Sequence, residues 1–227
     1  MPTLLVLLLA MLAPTPSVCC VDEELPVSIA VLSFATYSDS LATFYGSRDV
    51  AAMERLYGSA ATLEQQLLAR YRLYPVTQDD AYLRDLPDGD EARSARELAL
   101  LSALWAYRVS DAPPWKIPSY GRRSEALLDR ARALDADDPY VLLVDGQALL
   151  YKPSIFGGDV NAALNRFTHL RRVLPQHPHT GIARVEADVW AWYAMHKLGH
   201  DAAEPLRAQL LSEQPPVLFR QFLTDPP

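Results

Sequence analysis

The stretch that decides the fold is YKPSIFGGDVNAALNRF, Tyr151–Phe167. A proline, two adjacent glycines and an aspartate interrupt an otherwise helical pattern. Such an interruption reads as a phosphate loop, a hinge or a joint between packed helices. A phosphate loop needs free backbone amides and a Lys-Ser/Thr pair opening the next helix. Here Asp159 fills the anion position and Val160-Asn161 follow. The spacing therefore predicts a structural joint of Pro153, Gly157, Gly158 and Asp159. In it the glycines turn the chain with positive φ, and Asp159 caps a helix starting at Val160 by accepting orphan amide hydrogens.

Helical signals extend in both directions from the joint. Upstream, Asp138-Pro139 opens a helix that runs to about Tyr151. Before it, a helix spans about 122–134, reached through the proline-rich connection SDAPPWKIPSYG. Further upstream, Met53, Leu56, Tyr57, Ala60, Leu63, Leu67, Tyr71 and Tyr74 recur at steps of three and four. That pattern predicts one long amphipathic helix, ended by Pro75. Asp88 or Asp90 is the expected cap of the helix carrying Leu98, Leu101, Leu104 and Trp105. Downstream lie helices over about 160–173, one rich in aromatics (Trp190, Trp192, Tyr193) and stopped by Gly199, and a last pair over about 201–212 and 217–223. Leu25–Tyr37 is the single β-like stretch and reads as a lead-in. Helices of this length on short connections form antiparallel hairpins.

A spacing recurs across the joint. Ala163, Phe167, Leu170 and Pro175 run small, aromatic, apolar, proline; Ser124, Leu128, Ala131 and Ala136 repeat the steps; Leu142, Asp145, Gly146 and Leu149 fall on the preceding helix. Small residues let two helices of a hairpin approach, and larger ones fill the groove to the next. This resembles the tetratricopeptide repeat, with Asp145 and Ala136 departing from its pattern. The KPSIFGGDVNAAL segment is similar to helical-repeat proteins related to the periplasmic T component of TRAP transporters, and to the microtubule-dynamics regulator family sharing that fold. The resemblance implies an all-α fold of stacked antiparallel hairpins in a short right-handed superhelix. One helical-repeat domain over 39–227 follows, with its clearest repeats at 122–216. It also implies an accessory of an envelope or transport complex.

The N-terminus reads as an export signal over 1–20, then a lead-in over 21–38. Leu4–Ala13 is an apolar run of ten, against about 20 needed to span a membrane. No Lys or Arg precedes it. The expected location is periplasmic or secreted, with no membrane span in the mature chain. Val18 before Cys19, and Cys19 before Cys20, argue against a lipid anchor. These are the only two cysteines, which leaves the rest without a disulfide framework or thiolate metal site.

Composition narrows the function further. The chain has 227 residues, 50% hydrophobic, with a formal charge of −7. It holds no basic run, so nucleic acid is not an expected partner. The five histidines fall between His169 and His200, but HKLGH (196–200) lacks the glutamate of a helical zinc motif, so no metal or cofactor is expected. Glu186 and Asp188, two apart on a helix, do not face each other; one should lean inward and one outward. No nucleophile motif or dinucleotide fingerprint occurs, and a non-enzyme is expected. In a stack of hairpins the first helix of each pair lines the concave side. This makes Tyr140, Gln147, Tyr151, Glu186, Tyr193 and His196 the binding candidates. Tyrosines with a few polar groups suit a protein or peptide, or alternatively a small ligand held in the groove.

Overall fold

A computed structural model describes residues 33–110 and 112–227, and among these described residues short polar signals cut the chain into ten α-helices. The signal-like stretch, Cys19, Cys20 and most of the β-like lead-in lie outside the described residues. The fold is all-α, with no strand among the described residues. The last residues of the β-like stretch are helical. Ser33 accepts from the Thr36 amide at 3.3 Å and opens α1, Phe34–Ser47.

The long helix expected to end at Pro75 is two helices. α2 is Val50–Gly58 and α3 is Leu63–Thr77. Between them Thr62 and Gln65 form a reciprocal cap, the Gln65 amide reaching Thr62 Oγ1 at 3.2 Å and the Thr62 amide reaching Gln65 Oε1 at 3.3 Å. These two amides, with the Ala61 amide that also bonds Gln65 Oε1 at 2.8 Å, are satisfied locally, which outweighs continued apolar periodicity. Pro75 does not stop α3, which continues to Thr77. Tyr74 before it is buried and stacks on Tyr107 with ring centroids 5.0 Å apart. That packing holds Tyr74 helical against proline's local preference.

α4 spans Ala95–Ser110. Its start is fixed by Ser94 and Glu97, whose backbone amides each bond the other's side chain at 3.1 Å. The expected caps serve elsewhere: Asp88 pairs with Arg123, and Asp90 with Arg130 at 3.7 Å. α5, Ile117–Leu134, begins a turn earlier than the sequence suggests because Pro118 suits a first turn. α6 is Pro139–Tyr151, with Asp138 accepting from the Tyr140 amide at 2.8 Å. α7 is Val160–Val173, α8 Arg184–Lys197, α9 Ala203–Ser212 and α10 Val217–Thr224.

Helices α4/α5, α6/α7 and α8/α9 pack as hairpins, and α1 and α10 pack together. Helices α3, α4, α6 and α8 form a parallel inner layer. Arg96 near the start of α4 binds Glu64 near the start of α3 at 3.2 Å and the α6 cap Asp138 at 3.0 Å. Toward the other end, the Tyr71 hydroxyl of α3 donates to Gln147 of α6 at 2.8 Å. Tyr151 of α6 meets Trp190 of α8 at 6.2 Å.

Two details explain the recurrent spacing. A Cβ on Gly146 would fall 2.5 Å from Cε1 of Phe167, so the absent side chain is the space the ring fills. Burying that ring is worth roughly 2–3 kcal/mol. Asp145, which departs from the repeat pattern, is buried between Arg132 of α5 and Arg166 of α7, each 2.6 Å away. Its charge is compensated, as a buried carboxylate requires.

Candidate functional site

The parallel inner layer encloses a chamber of about 580 Å³, completed by α1 and α10. Its wall is aromatic because each surrounding helix turns a ring inward: Tyr45 (α1), Tyr71 (α3), Tyr107 (α4), Tyr151 (α6), Trp190 (α8) and Phe222 (α10). Tyr107 stacks on Tyr71 at 5.9 Å, and Trp190 meets Phe222 at 5.3 Å. The exposed residues Gln78, Ala106, Ser110 and Tyr151 frame the mouth.

Beneath this wall lies a buried charged floor. Arg72 of α3 grips Glu186 of α8 with both terminal nitrogens, one at 2.9 Å from Oε2. The same guanidinium donates to the Gly181 carbonyl at 2.9 Å and reaches the Tyr140 hydroxyl at 3.4 Å. It also lies 4.5 Å from the centre of the Tyr45 ring. Burial works against the Arg72 charge, but Glu186 more than offsets it and holds the guanidinium well above its ordinary pKa. Burial raises the phenol of Tyr140 to about 12 despite the nearby Arg72 charge, and raises that of Tyr107 well above its usual value. The tyrosines are therefore neutral donors at physiological pH. Among the described residues Glu186 is the only carboxylate side chain on the chamber wall, and it is already paired.

Of the six candidates from sequence, Gln147, Tyr151 and Glu186 border the chamber. Gln147 uses its carbonyl oxygen for Tyr71. Tyr140 is fully buried in the floor, one side of the helix away from the open space. Tyr193 is buried behind Trp190 and Phe222 and donates its hydroxyl to the Pro227 carbonyl. His196 is exposed and stacks on Trp192 at 5.5 Å, away from the chamber. Asp188 is not solvated as expected: it is buried and pairs with Arg171 and Arg184. Alternation on a helix put it opposite Glu186, but α7 covers that face too. Among the described residues no cluster of His, Cys, Asp and Glu could hold a metal ion.

The joint follows from local geometry. Gly157 takes the left-handed backbone, φ 91°, while Gly158 does not. Gly158 is needed for space: a Cβ there would lie 1.7 Å from the Lys152 carbonyl oxygen. Asp159 accepts from the Ala162 amide at 3.0 Å and its own amide bonds the Leu149 carbonyl at 2.9 Å. Pro153 accepts the Phe156 and Gly158 amides at 2.9 and 3.1 Å.

Sequence reasoning missed Arg72 and Tyr45. The run LLARYRLY holds two buried arginines: Arg70 donates to the Tyr82 carbonyl at 2.7 Å, whereas Arg72 pairs with an acid 114 positions away, which the local sequence does not reveal. Comparison of the chain with protein-family models, with curated proteins and with solved structures gives no match.

Proposed function

We propose that this chain is a non-catalytic binding protein of helical-repeat type whose central chamber holds a small, neutral, largely apolar molecule. The observation that carries this reading is the aromatic wall around 580 Å³, with Glu186, the one carboxylate side chain among its described residues, neutralised by Arg72. That volume falls within the range of small-molecule pockets, which run from about 300 to 1,000 Å³. A charged ligand would find no unpaired side-chain charge of opposite sign among the described residues of the wall. An apolar one would displace water from rings and gain roughly 25 cal/mol per Å² of surface covered. Gln147, whose amide nitrogen faces no protein acceptor, and the Tyr107 and Tyr151 hydroxyls supply orienting polar contacts. A protein or peptide laid in an open trough is the weaker reading, because α1 and α10 narrow the inner layer to a pocket that opens at one mouth.

Titration with an uncharged naphthylamine fluorophore tests the proposal. Wild type should bind one equivalent with a blue-shifted emission. Ala106→Trp, at the exposed rim, should weaken that binding about ten-fold or more by filling the mouth. Equal binding by both proteins would place the probe elsewhere and refute the reading.

A further inference from the structure

Among the described residues, five of the six most exposed large apolar side chains, Trp115, Ile117, Tyr151, Ile155 and Phe156, lie at one end of the helical bundle. They occupy the α4–α5 connection, the end of α6 and the turn before α7. Trp115 is 78% exposed, Ile155 82% and Phe156 69%. This is the end at which the chamber opens between Ser110 and Tyr151.

The charges of this end differ from those of the chain. All three lysines are here: Lys116 beside Trp115, Lys152 at the end of α6, and Lys197 at the end of α8. Residues 112–124 hold Lys116, Arg122 and Arg123 and no acid, with Asp111 and Glu125 directly flanking them, so the stretch is slightly basic although the whole chain carries −7. Some of this charge is spent internally, since Lys152 reaches Glu125 at 2.7 Å and Arg123 pairs with Asp88. The Lys152 pair also fixes the α6 end against α5, so the two apolar connections stand side by side.

We infer that this end docks on an anionic lipid surface, with Trp115, Ile117, Ile155 and Phe156 entering the headgroup region and Lys116, which has no ion-pair partner among the described residues, meeting lipid phosphates. The side chains project from turns instead of forming a flat apolar face, which suits shallow insertion more than a protein interface. Tryptophan is favoured at the boundary between headgroups and acyl chains. Each lysine near an anionic surface adds attraction that salt removes. The whole chain carries −7, so the lysine beside the exposed tryptophan gives this end an attraction to such a surface that the chain as a whole lacks. Among the described residues no helix is long and apolar enough to cross a membrane, so the contact is peripheral. The inference does not depend on what the chamber holds.

Co-sedimentation of the full chain with vesicles of phosphatidylcholine, with and without phosphatidylglycerol, tests it. Wild type should bind the anionic vesicles more strongly, and less so at high salt. The triple variant W115S/I155S/F156S should lower that binding about ten-fold; its altered residues are exposed, and circular dichroism would verify the fold. Because Leu4–Ala13 is present in both proteins, the difference between them is the readout. Trp115→Phe should keep binding yet remove the fluorescence component quenched by lipids with brominated chains. Equal binding by wild type and the triple variant would overturn the inference. So would the absence of wild-type binding to either vesicle, including the case where a protein partner requires these same residues.

Discussion

Arg72 on α3 and Glu186 on α8 form a two-pronged ion pair, buried beneath the chamber, that joins helices far apart in the chain. The pair and its ring of tyrosines set the depth of the chamber. Removing one partner leaves a buried charge without compensation. Glu186→Leu should therefore destabilise the fold by about 3–5 kcal/mol. Arg72→Met combined with Glu186→Leu should recover most of that loss, because two apolar side chains of similar size replace both charges. Urea unfolding of the three proteins measures the coupling. A double variant no more stable than Glu186→Leu would show that the pair is not the organising contact.

Gly146 and Phe167 make a second test. The Phe167 ring occupies the place of a Gly146 side chain, so Gly146→Val should push α6 from α7 and cost about 1–3 kcal/mol. Adding Phe167→Leu should relieve part of this. Thermal melts of the single and double variants would reveal the expected non-additivity.

The joint before α7 gives a third. Gly158→Val should destabilise by about 1–3 kcal/mol because a side chain meets the Lys152 carbonyl. Asp159→Ala should cost about 1 kcal/mol through loss of the cap. Neither wild type nor variant should gain stability from millimolar phosphate. A phosphate-dependent rise in wild type, abolished by Gly158→Val, would make the joint a ligand site.

Alkaline pH should weaken the fold. Burial raises the phenol of Tyr140 to about 12, and those of Tyr71 and Tyr107 are raised as well. These phenols stay protonated in the folded chain where the unfolded chain loses its protons, at about 10. Their contribution is thus complete below pH 10 and declines as pH rises through 12. Absorbance at a wavelength selective for tyrosinate should show exposed tyrosines ionising first, followed by a cooperative step that coincides with loss of helix. Simple titration of all tyrosines near 10 in a folded chain would contradict the burial of the floor.

The helices that sequence predicted well are those bounded by local chemistry. Asp138-Pro139 and Gly158-Asp159 mark α6 and α7 because caps and turns act over a few residues. The break between Gly58 and Leu63 was hidden, since the apolar period runs through it and only the Thr62–Gln65 reciprocal cap opposes it. Gln147, Tyr151 and Glu186, named from the rule that the first helix of each hairpin lines the inner side of a stack, do border the chamber. Tyr140 and Tyr193 were misplaced because periodicity gives a face and not its depth, and both faces of α6 and α8 are covered. Tyr45 and Phe222 were beyond reach: they come from the first and last helices, and only the packing of α1 on α10 brings them together.

Native mass spectrometry of the full chain, purified without detergent, tests the central claim most directly. The account predicts a discrete mass increment from one small molecule, released on denaturation and absent or much reduced in Ala106→Trp. A spectrum showing only the bare polypeptide for both proteins, unchanged after incubation with uncharged apolar compounds, would contradict a ligand-holding chamber.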